Sequence, residues 1–581
     1  RVSGVQVENS GIPGGAVKIR VRGTGSINKS NDPLYVVDGI VRESGLDGIN
    51  PEDIESIQIL KDASSTAIYG ARGSNGVVMI TTKSGKSGNK QIVFDASVGI
   101  ANVTKRYDVL SAYEYAQALK DIKGVNDFSA EQLEAFKNGK AGIDWQNELF
   151  RTGWTQNYKL AFSNGTDKTQ YYLSANYMQQ DGVIIDSNFR RYQAKANISS
   201  QLTDWLHVSA DVNAAHNIRK GGGLTRDNGN PLWQALNYSP TLSMFAPNGL
   251  YSRDTYNSIG ANPVGSLKAN KSEFMTDVFN GKLEFKFNIL KGLTFTSTNG
   301  IDYNDSKNYF LTSHLVASTN GMSNADNYRM MLQTSNTLNY NADWDKHHLN
   351  ATAVYEATTS EARMMDITGK KMINEAVGWW NIASSQDRDG SNGYTKWTLQ
   401  SVVGRVVYNF NDKYRVTGTL RADGSSRFTN KKWGYFPSIA GAWTVSNEEF
   451  MKNVKVVEDI KIRASYGVVG NQAIDPYSTL ALISTSGYGW GSSSLKPSWS
   501  SFAIDTPDVT WENTKQMDFG FDFSLLHKRL KVGFDYFDKI SNNALILKEL
   551  PRYKGGGKYW VNDGVISNKG FEVSLDANII N

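Results

Sequence analysis

The 581-residue chain contains no cysteine, which excludes a disulfide framework and thiolate metal sites and suits an envelope protein that avoids stray oxidation. Histidine is scarce, with 6 residues. The adjacent pair His347-His348 falls in a predicted tight turn, without the Glu-containing helical spacing of a zinc protease, so solvated imidazoles explain it better. No stretch approaches the roughly 18 apolar residues of a membrane-crossing helix. Any passage through a bilayer must therefore be made by strands. An excess of one charge is missing too: 62 basic and 57 acidic residues leave a net charge of +5. They do not cluster, so nucleic acid has no electrostatic footprint here.

Catalytic signatures are equally thin. A phosphate-cradling loop fails at both candidates, because Ile80 stands where Gly85-Lys86-Ser87 needs its first glycine and Gly557-Lys558 runs into Tyr559. No nucleophile-elbow pattern occurs. Asp387, Asp389 and Asn392 could reach a calcium ion, but the glycine among them is misplaced for an EF-hand loop. The expectation is a protein that is not an enzyme and carries no cofactor and no metal.

What the chain does have is aromatic and alternating. Only 40% of residues are hydrophobic and the mean hydropathy is −0.43. Aromatics nevertheless reach 11%, with 28 Tyr and 14 Trp, which suits girdles at two membrane interfaces. Phe519, Phe521, Phe523 and Leu525 alternate with Asp518, Gly520, Asp522 and Ser524. The same period of two sets Leu283, Phe285, Phe287 and Ile289 against Lys282, Glu284, Lys286 and Asn288, and Phe571, Val573 and Leu575 against Glu572, Ser574 and Asp576. In a membrane barrel one such face meets lipid and the other a wet lumen. A soluble sandwich strand alternates as well, so loop length has to arbitrate.

Tight connections at Asn164–Lys168, Ser200–Trp205, Leu290–Leu293, Asp343–His347, Asn411–Lys413 and His527–Arg529 are predicted to alternate with long ones. The long ones are Asn102–Gly153, Ile218–Ser272, Thr312–Arg329, Ser360–Thr395, Asn471–Glu512 and Ala544–Asp563. Asn447–Asp459 is a longer inner turn and Asp423–Lys432 a shorter outer loop. Short turns on one side and long loops on the other are what a membrane barrel requires, and about sixteen strands result. Within the first long loop, Ala112–Lys120 and Ala130–Lys137 read as short helices on the outer rim.

The opening eighty or so residues differ in character. Glu52–Lys86 offers alternating Ile54, Ile57 and Ile59, then Asp62 as N-cap of a segment Ala63–Tyr69 that Gly70 can close, then a buried strand Gly76–Thr82. Upstream, Val17, Ile19 and Val21 alternate with Arg20 and Arg22, and LYVVDG ends a strand in the Asp38-Gly39 turn. The two arginines share one side, facing either acidic wall residues or solvent.

These stretches carry a resemblance. Val17–Ile40 and Ile49–Lys86 resemble the plug of a TonB-dependent outer-membrane transporter of the SusC-like (RagA-type) family. DGSSRF (Asp423–Phe428), WGYFPSIAGAW (Trp433–Trp443), KIRASYGVVGNQ (Lys461–Gln472), PDVTWENTKQMDFGFDFSL (Pro507–Leu525) and VISNKGFEVSL (Val565–Leu575) match its barrel in the same order. The resemblance implies an all-β membrane protein. Its large antiparallel barrel would hold a small α+β plug, with residues 1–86 as the C-terminal part of the plug and 87–581 as barrel. The family's barrel has twenty-two strands, so the chain reads as an interior portion of a longer protein.

The function implied is active import of a large nutrient, an oligosaccharide or an oligopeptide, across the outer membrane of a Gram-negative type cell. A SusD-like lipoprotein, the TonB complex and the lipid bilayer are the partners, and a dimer of transporter–lipoprotein pairs is left open. Arg20, Arg22, Asp38 and Arg72 are the candidate plug–barrel contacts. Trp379, Trp380, Trp490 and Trp499, in outer loops, are candidates for stacking on ligand or partner, set against simple loop packing. A soluble β-rich adhesin or glycan-binding protein and a glycan-degrading enzyme are the rival readings.

Overall fold

In the computed structural model, the described residues are 2–579 except 27–29, 89, 126, 222–229, 258–259, 452–453, 455–456, 473, 490–494, 502–503, 528 and 555–556. The chain opens with a ribbon of β1 (Val5–Asn9) and β2 (Val17–Val21). A four-stranded sheet follows, built from β3 (Leu34–Val37), β4 (Ile40–Arg42), β5 (Ile54–Leu60) and β6 (Val77–Thr82) in the order β4-β3-β6-β5. Asp38 and Gly39, at φ 50 and 88, make the two-residue turn between β3 and β4; the positive φ at both suits the right-handed twist of a hairpin. Val37, Ile49, Val78 and Ile80 form the sheet's small core.

Between β5 and β6 the helix is shorter than the sequence suggests. The α-helix α1 covers Ala63–Thr66, and a 3-10 segment continues from Ala67 to Arg72. Asp62 holds the N-cap position in an extended conformation, but its carboxylate receives the Ser65 hydroxyl rather than a backbone N–H. Gly70 does not close the helix. It kinks the 3-10 segment at φ 54, ψ −128, and the reason is space: a Cβ there would stand 2.0 Å from Arg421 Nε on the wall.

The wall begins with β7 (Gln91–Ala101); then a long loop carries α2 (Ala112–Lys123), α3 (Ala130–Lys137) and α4 (Trp145–Leu149). Ser111 with Glu114, and Ser129 with Gln132, cap α2 and α3 reciprocally. Next come β8 (Gly153–Gly165), β9 (Thr169–Asp181), β10 (Asn188–Thr203) and β11 (Leu206–Lys220). A second long loop holds α5 (Pro231–Asn237) and α6 (Pro263–Lys268). β12 (Lys271–Leu290), β13 (Leu293–Thr312), β14 (Gly321–Trp344), β15 (His347–Met372) and β16 (Ser385–Phe410) extend the wall.

β17 (Tyr414–Ser425), β18 (Trp433–Thr444) and β19 (Val457–Asn471) lead to a loop hairpin of β20 (Ile483–Gly489) and β21 (Leu495–Ser501). The chain returns as β22 (Glu512–Leu525) and β23 (Leu530–Asn542). After a second hairpin, β24 (Leu545–Glu549) and β25 (Lys558–Asn562), it ends in β26 (Val565–Ala577). Setting the hairpins aside, 16 strands from β7 to β26 pair in chain order in one antiparallel sheet. Two stacked sheets, as in a sandwich, are absent among the described residues.

Two expected loops are mostly strand. β14, β15 and β16 run for 24, 26 and 26 residues, where about 9–11 cross a bilayer. The true connections are residues 313–320 and 373–384. Beyond the lipid neither face of a strand must be apolar, so the pairing continues while the period-two signal fades. Asp387, Asp389 and Asn392 therefore lie in a paired strand opposite Lys370, Thr368 and Met365.

The exposure pattern is inverted relative to a soluble protein. On β17, Leu420 is 58% exposed and its neighbour Arg421 0%; on β26, Phe571 is 73% exposed and Glu572 6%. Apolar side chains face outward and polar ones are buried, as a lipid-facing wall with a polar lumen demands. Trp205, Trp344, Tyr414 and Trp443 ring the tight-turn end, with Tyr414 stacked on Trp443 at 6.4 Å. His347 and His348 part company there, taking Tyr408 and Asp343 respectively at 2.6 Å.

Candidate functional site

The opening domain sits against the polar, inward side of the wall and touches strands all around it. The strongest contact is made by Arg22, which leaves β2 at φ 52. Its guanidinium reaches Asp518 of β22 at 2.5 Å and Glu572 of β26 at 2.9 Å, and lies 4.6 Å over the Phe537 ring. Burial alone would lower its proton affinity. The hydrogen bond to Glu572 and the charges of Asp518 and Glu572 outweigh that and hold it above the ordinary arginine value. Lys61 joins the same cluster, 2.9 Å from Glu572.

Arg20 does not share this placement. It stays exposed on the β1–β2 ribbon opposite Gln6, because the positive φ of Arg22 breaks the strand alternation that would have kept the two together. Asp38 accepts the Thr82 N–H at 2.9 Å and the Thr82 hydroxyl at 2.6 Å, and stands 3.6 Å from Lys195 of β10. Arg72 is half-buried at the end of the 3-10 segment, and its enclosed Nε and Nη1 have no hydrogen-bond partner among the described residues. Burial pushes its pKa down, opposed mainly by Glu356.

Other contacts escaped the sequence reading. Asp53 meets Lys159 at 2.9 Å, the Tyr172 hydroxyl at 2.8 Å and Ser174 at 3.2 Å. Asp302 accepts from the backbone N–H of Glu43 at 3.0 Å and from the Ser44 hydroxyl at 2.8 Å, with Arg42 at 3.9 Å. Arg421 binds Asp423 at 2.7 Å and Glu356 at 2.8 Å and donates to the carbonyl of Ile68. Lys539 donates to the Ser74 carbonyl at 2.8 Å. The grip is not wholly ionic: Val36, Val41 and Val77 pack with Met331, Trp397, Leu399 and Phe436 of the wall. A charge at an inward position of an alternating strand is the signal that could have found the wall partners.

The outer tryptophans are dispersed. Trp379 stacks on Tyr309 at 5.6 Å and 9°, and Trp380 lies 5.4 Å from the same ring. Tyr309 is an odd number of positions from Asp302 along unbroken β13, so it faces away from the side that meets the plug. Trp379 thus packs its loop onto the outside of the rim, while Trp380 is 72% exposed. Trp499 is exposed on β21 opposite Thr485. Trp490 lies outside the described residues.

Comparison with known proteins matches residues 1–77 to the TonB-dependent Receptor Plug Domain and residues 204–579 to the TonB dependent receptor-like, beta-barrel family. TonB-dependent receptor P3 of Formosa agariphila is 34% identical over 601 residues, covering 100% of this chain and 58% of the relative. TonB-dependent receptor SusC of Bacteroides thetaiotaomicron is 31% identical over 630 residues, covering 100% of this chain and 60% of the relative. The chain thus spans about three fifths of the length of these curated relatives. Among solved structures, the RagAB peptide transporter superposes with a TM-score of 0.87 at 25% identity, covering 100% of this chain and 69% of that one. The siderophore receptor PirA from Acinetobacter baumannii shares the fold at a TM-score of 0.58 and 14% identity, covering 100% of this chain and 75% of that one.

Proposed function

Because the chain belongs to the TonB-dependent receptors, on their SusC-like branch, we propose that it serves energy-dependent import of an oligosaccharide or an oligopeptide across the outer membrane. Residues 1–86 act as the stopper and 87–581 as the wall. A SusD-like lipoprotein delivers ligand from above the long loops, and TonB, driven by the inner-membrane proton gradient, pulls on the stopper. The nature of the stopper's grip is what supports this most. Buried ion pairs such as Arg22–Asp518 and Lys159–Asp53 give back much of their attraction as rehydration when both partners reach water. A plug held that way can be withdrawn without unfolding the wall. The outward apolar belt also speaks against a soluble adhesin, which would expose that surface to water.

Uptake of fluorescent oligopeptide and oligosaccharide mixtures by cells carrying the protein tests the reading. Uptake that saturates and disappears on deletion of TonB is expected; uptake indifferent to TonB would overturn it. For the grip, Arg20, Arg22, Asp38 and Arg72 are changed to Ala one at a time and entry of a large antibiotic is followed. Arg22→Ala is expected to leak and Arg20→Ala to stay tight, and unchanged permeability in the Arg22 variant would count against an ionic latch.

A further inference from the structure

The rim of the wall is low between β17 and β18. Both strands have 12 residues, where about 9–11 cross a bilayer, whereas β15 and β16 have 26 each and rise well past the lipid. Tyr414 and Trp443 mark their inner ends, so the connection 426–432 sits at the outer membrane surface, at the depth of lipid headgroups. The loop is clamped from behind. Phe428 is buried, its ring 4.9 Å from that of Trp511, whose Nε1 donates to the Lys432 carbonyl at 3.0 Å. The Ser425 N–H donates to the same carbonyl at 3.0 Å, and the Asn430 N–H to the Pro507 carbonyl at 3.1 Å. What this frame leaves exposed is basic and aromatic. Lys431, Lys432, Trp433 and Tyr435 are all exposed, the two aromatics alternating with buried Gly434 and Phe436. The Trp433 ring lies against Gly424, where a Cβ would stand 2.9 Å from it. Among the described residues neither lysine has a carboxylate partner; Asp508, an acid that this loop touches, takes the Asn430 amide at 3.4 Å.

A free lysine high on a loop is simply solvated. At headgroup depth each one strengthens attraction to an anionic lipid surface about fivefold. A compact ammonium on a flexible stem meets phosphate as a point charge, without the fixed approach that a guanidinium fork demands. Directly below, Leu420 and Ile439 are each 58% exposed on the lipid face, which gives acyl chains a surface to lie on. We propose that the β17–β18 connection holds a phosphorylated, acylated glycolipid of the outer leaflet, with Lys431 and Lys432 on its phosphate and Trp433 and Tyr435 bordering its sugar and upper acyl chain. Depth selects this occupant, since a lipid alone covers both the charged edge and the apolar face beneath it. The site is on the outside of the wall, so it does not depend on what the barrel imports.

The test is native mass spectrometry of the detergent-purified protein, given equal amounts of diphosphoryl lipid A and of the same lipid A stripped of its phosphates. At about fivefold per lysine, the parent should carry the phosphorylated form in roughly 30-fold excess. Lys431→Gln and Lys432→Gln should each lower that excess about fivefold, and the double variant about 30-fold. Lys120→Gln, exposed on α2 in the first long loop, should leave it unchanged. Both rim lysines are exposed, so every variant should keep its heat-shifted gel band. Equal binding of the two lipids by the parent, a fall of less than about fivefold in the double variant, or an equal fall in Lys120→Gln would overturn the proposal.

Discussion

Replacing Arg22 with Met should loosen the plug more than any neighbouring single change. Its guanidinium meets Asp518 at 2.5 Å and Glu572 at 2.9 Å, and none of the three side chains is more than 10% exposed. Removing one partner of a buried pair costs about 3–5 kcal/mol, because the charge left behind stays buried. Glu572 retains Lys61 at 2.9 Å, whereas Asp518 keeps the Gln516 amide at 3.0 Å. The lower end of the range therefore applies, about 3 kcal/mol, or roughly two orders of magnitude in the equilibrium between docked and undocked plug.

The chain has no cysteine, so a Ser64→Cys reporter on buried α1 is the sole thiol, and a maleimide polymer too large for the closed lumen reads undocking. If redocking outpaces labelling, the rate tracks the undocked population, and Arg22→Met should raise it about 100-fold. Adding Asp518→Asn should recover part of the loss, since no naked carboxylate then remains. A rate within about twofold of the parent would rule out Arg22 as the main ionic hold on the plug, given the two decades expected. Arg20→Met, on the exposed ribbon, should leave the rate unchanged.

Gly70→Ala places a Cβ 2.0 Å from Arg421 Nε and 2.5 Å from Asp423 Oδ2, at φ 54. With about 1–3 kcal/mol of backbone strain added, the same reporter should label at least about tenfold faster. Leu420→Arg puts a charge on the lipid face and should destabilise the folded barrel by about 2–4 kcal/mol, read as a lower urea midpoint of the heat-shifted gel band. Glu448, in the turn after β18, has its pKa held down to about 2 by hydrogen bonds from Lys413 and then Tyr414. A lowered carboxylate pKa stabilises above the unfolded value near 4.3 and is lost as pH falls from there toward about 2. Amide exchange at residues 445–451 should therefore be faster in Glu448→Gln than in the parent at pH 6, and alike in the two near pH 2.

Much of the architecture was readable because lipid imposes a strict rule on strands. Where Phe519 and Phe571 must face hydrocarbon, Asp518 and Glu572 are forced inward, and the alternation announces both. The rule lapses above the bilayer, so the upper parts of β14, β15 and β16 looked like loops. The resemblance named the stopper, but its contacts were only partly legible. Arg22 could be picked out as a charge on a short strand, yet its separation from Arg20 depends on one positive φ that no periodicity encodes. Asp53, Arg42 and Lys61 carry charge at positions with no special local pattern, and their partners Lys159, Asp302 and Glu572 lie far along the chain. Trp379 stood out as a loop aromatic, whereas its role in packing on Tyr309 depends on which face of a long strand turns outward.

Everything above depends on a polar-walled barrel in lipid being stoppered from within by its opening domain. Planar-bilayer conductance of the protein purified from outer membranes addresses this directly. A silent barrel is expected in buffer, opening a large, reversible conductance when urea releases the plug, and doing so at lower urea in Arg22→Met. An open pore in plain buffer, or no pore at any urea concentration that leaves the barrel's heat-shifted gel band intact, would contradict it.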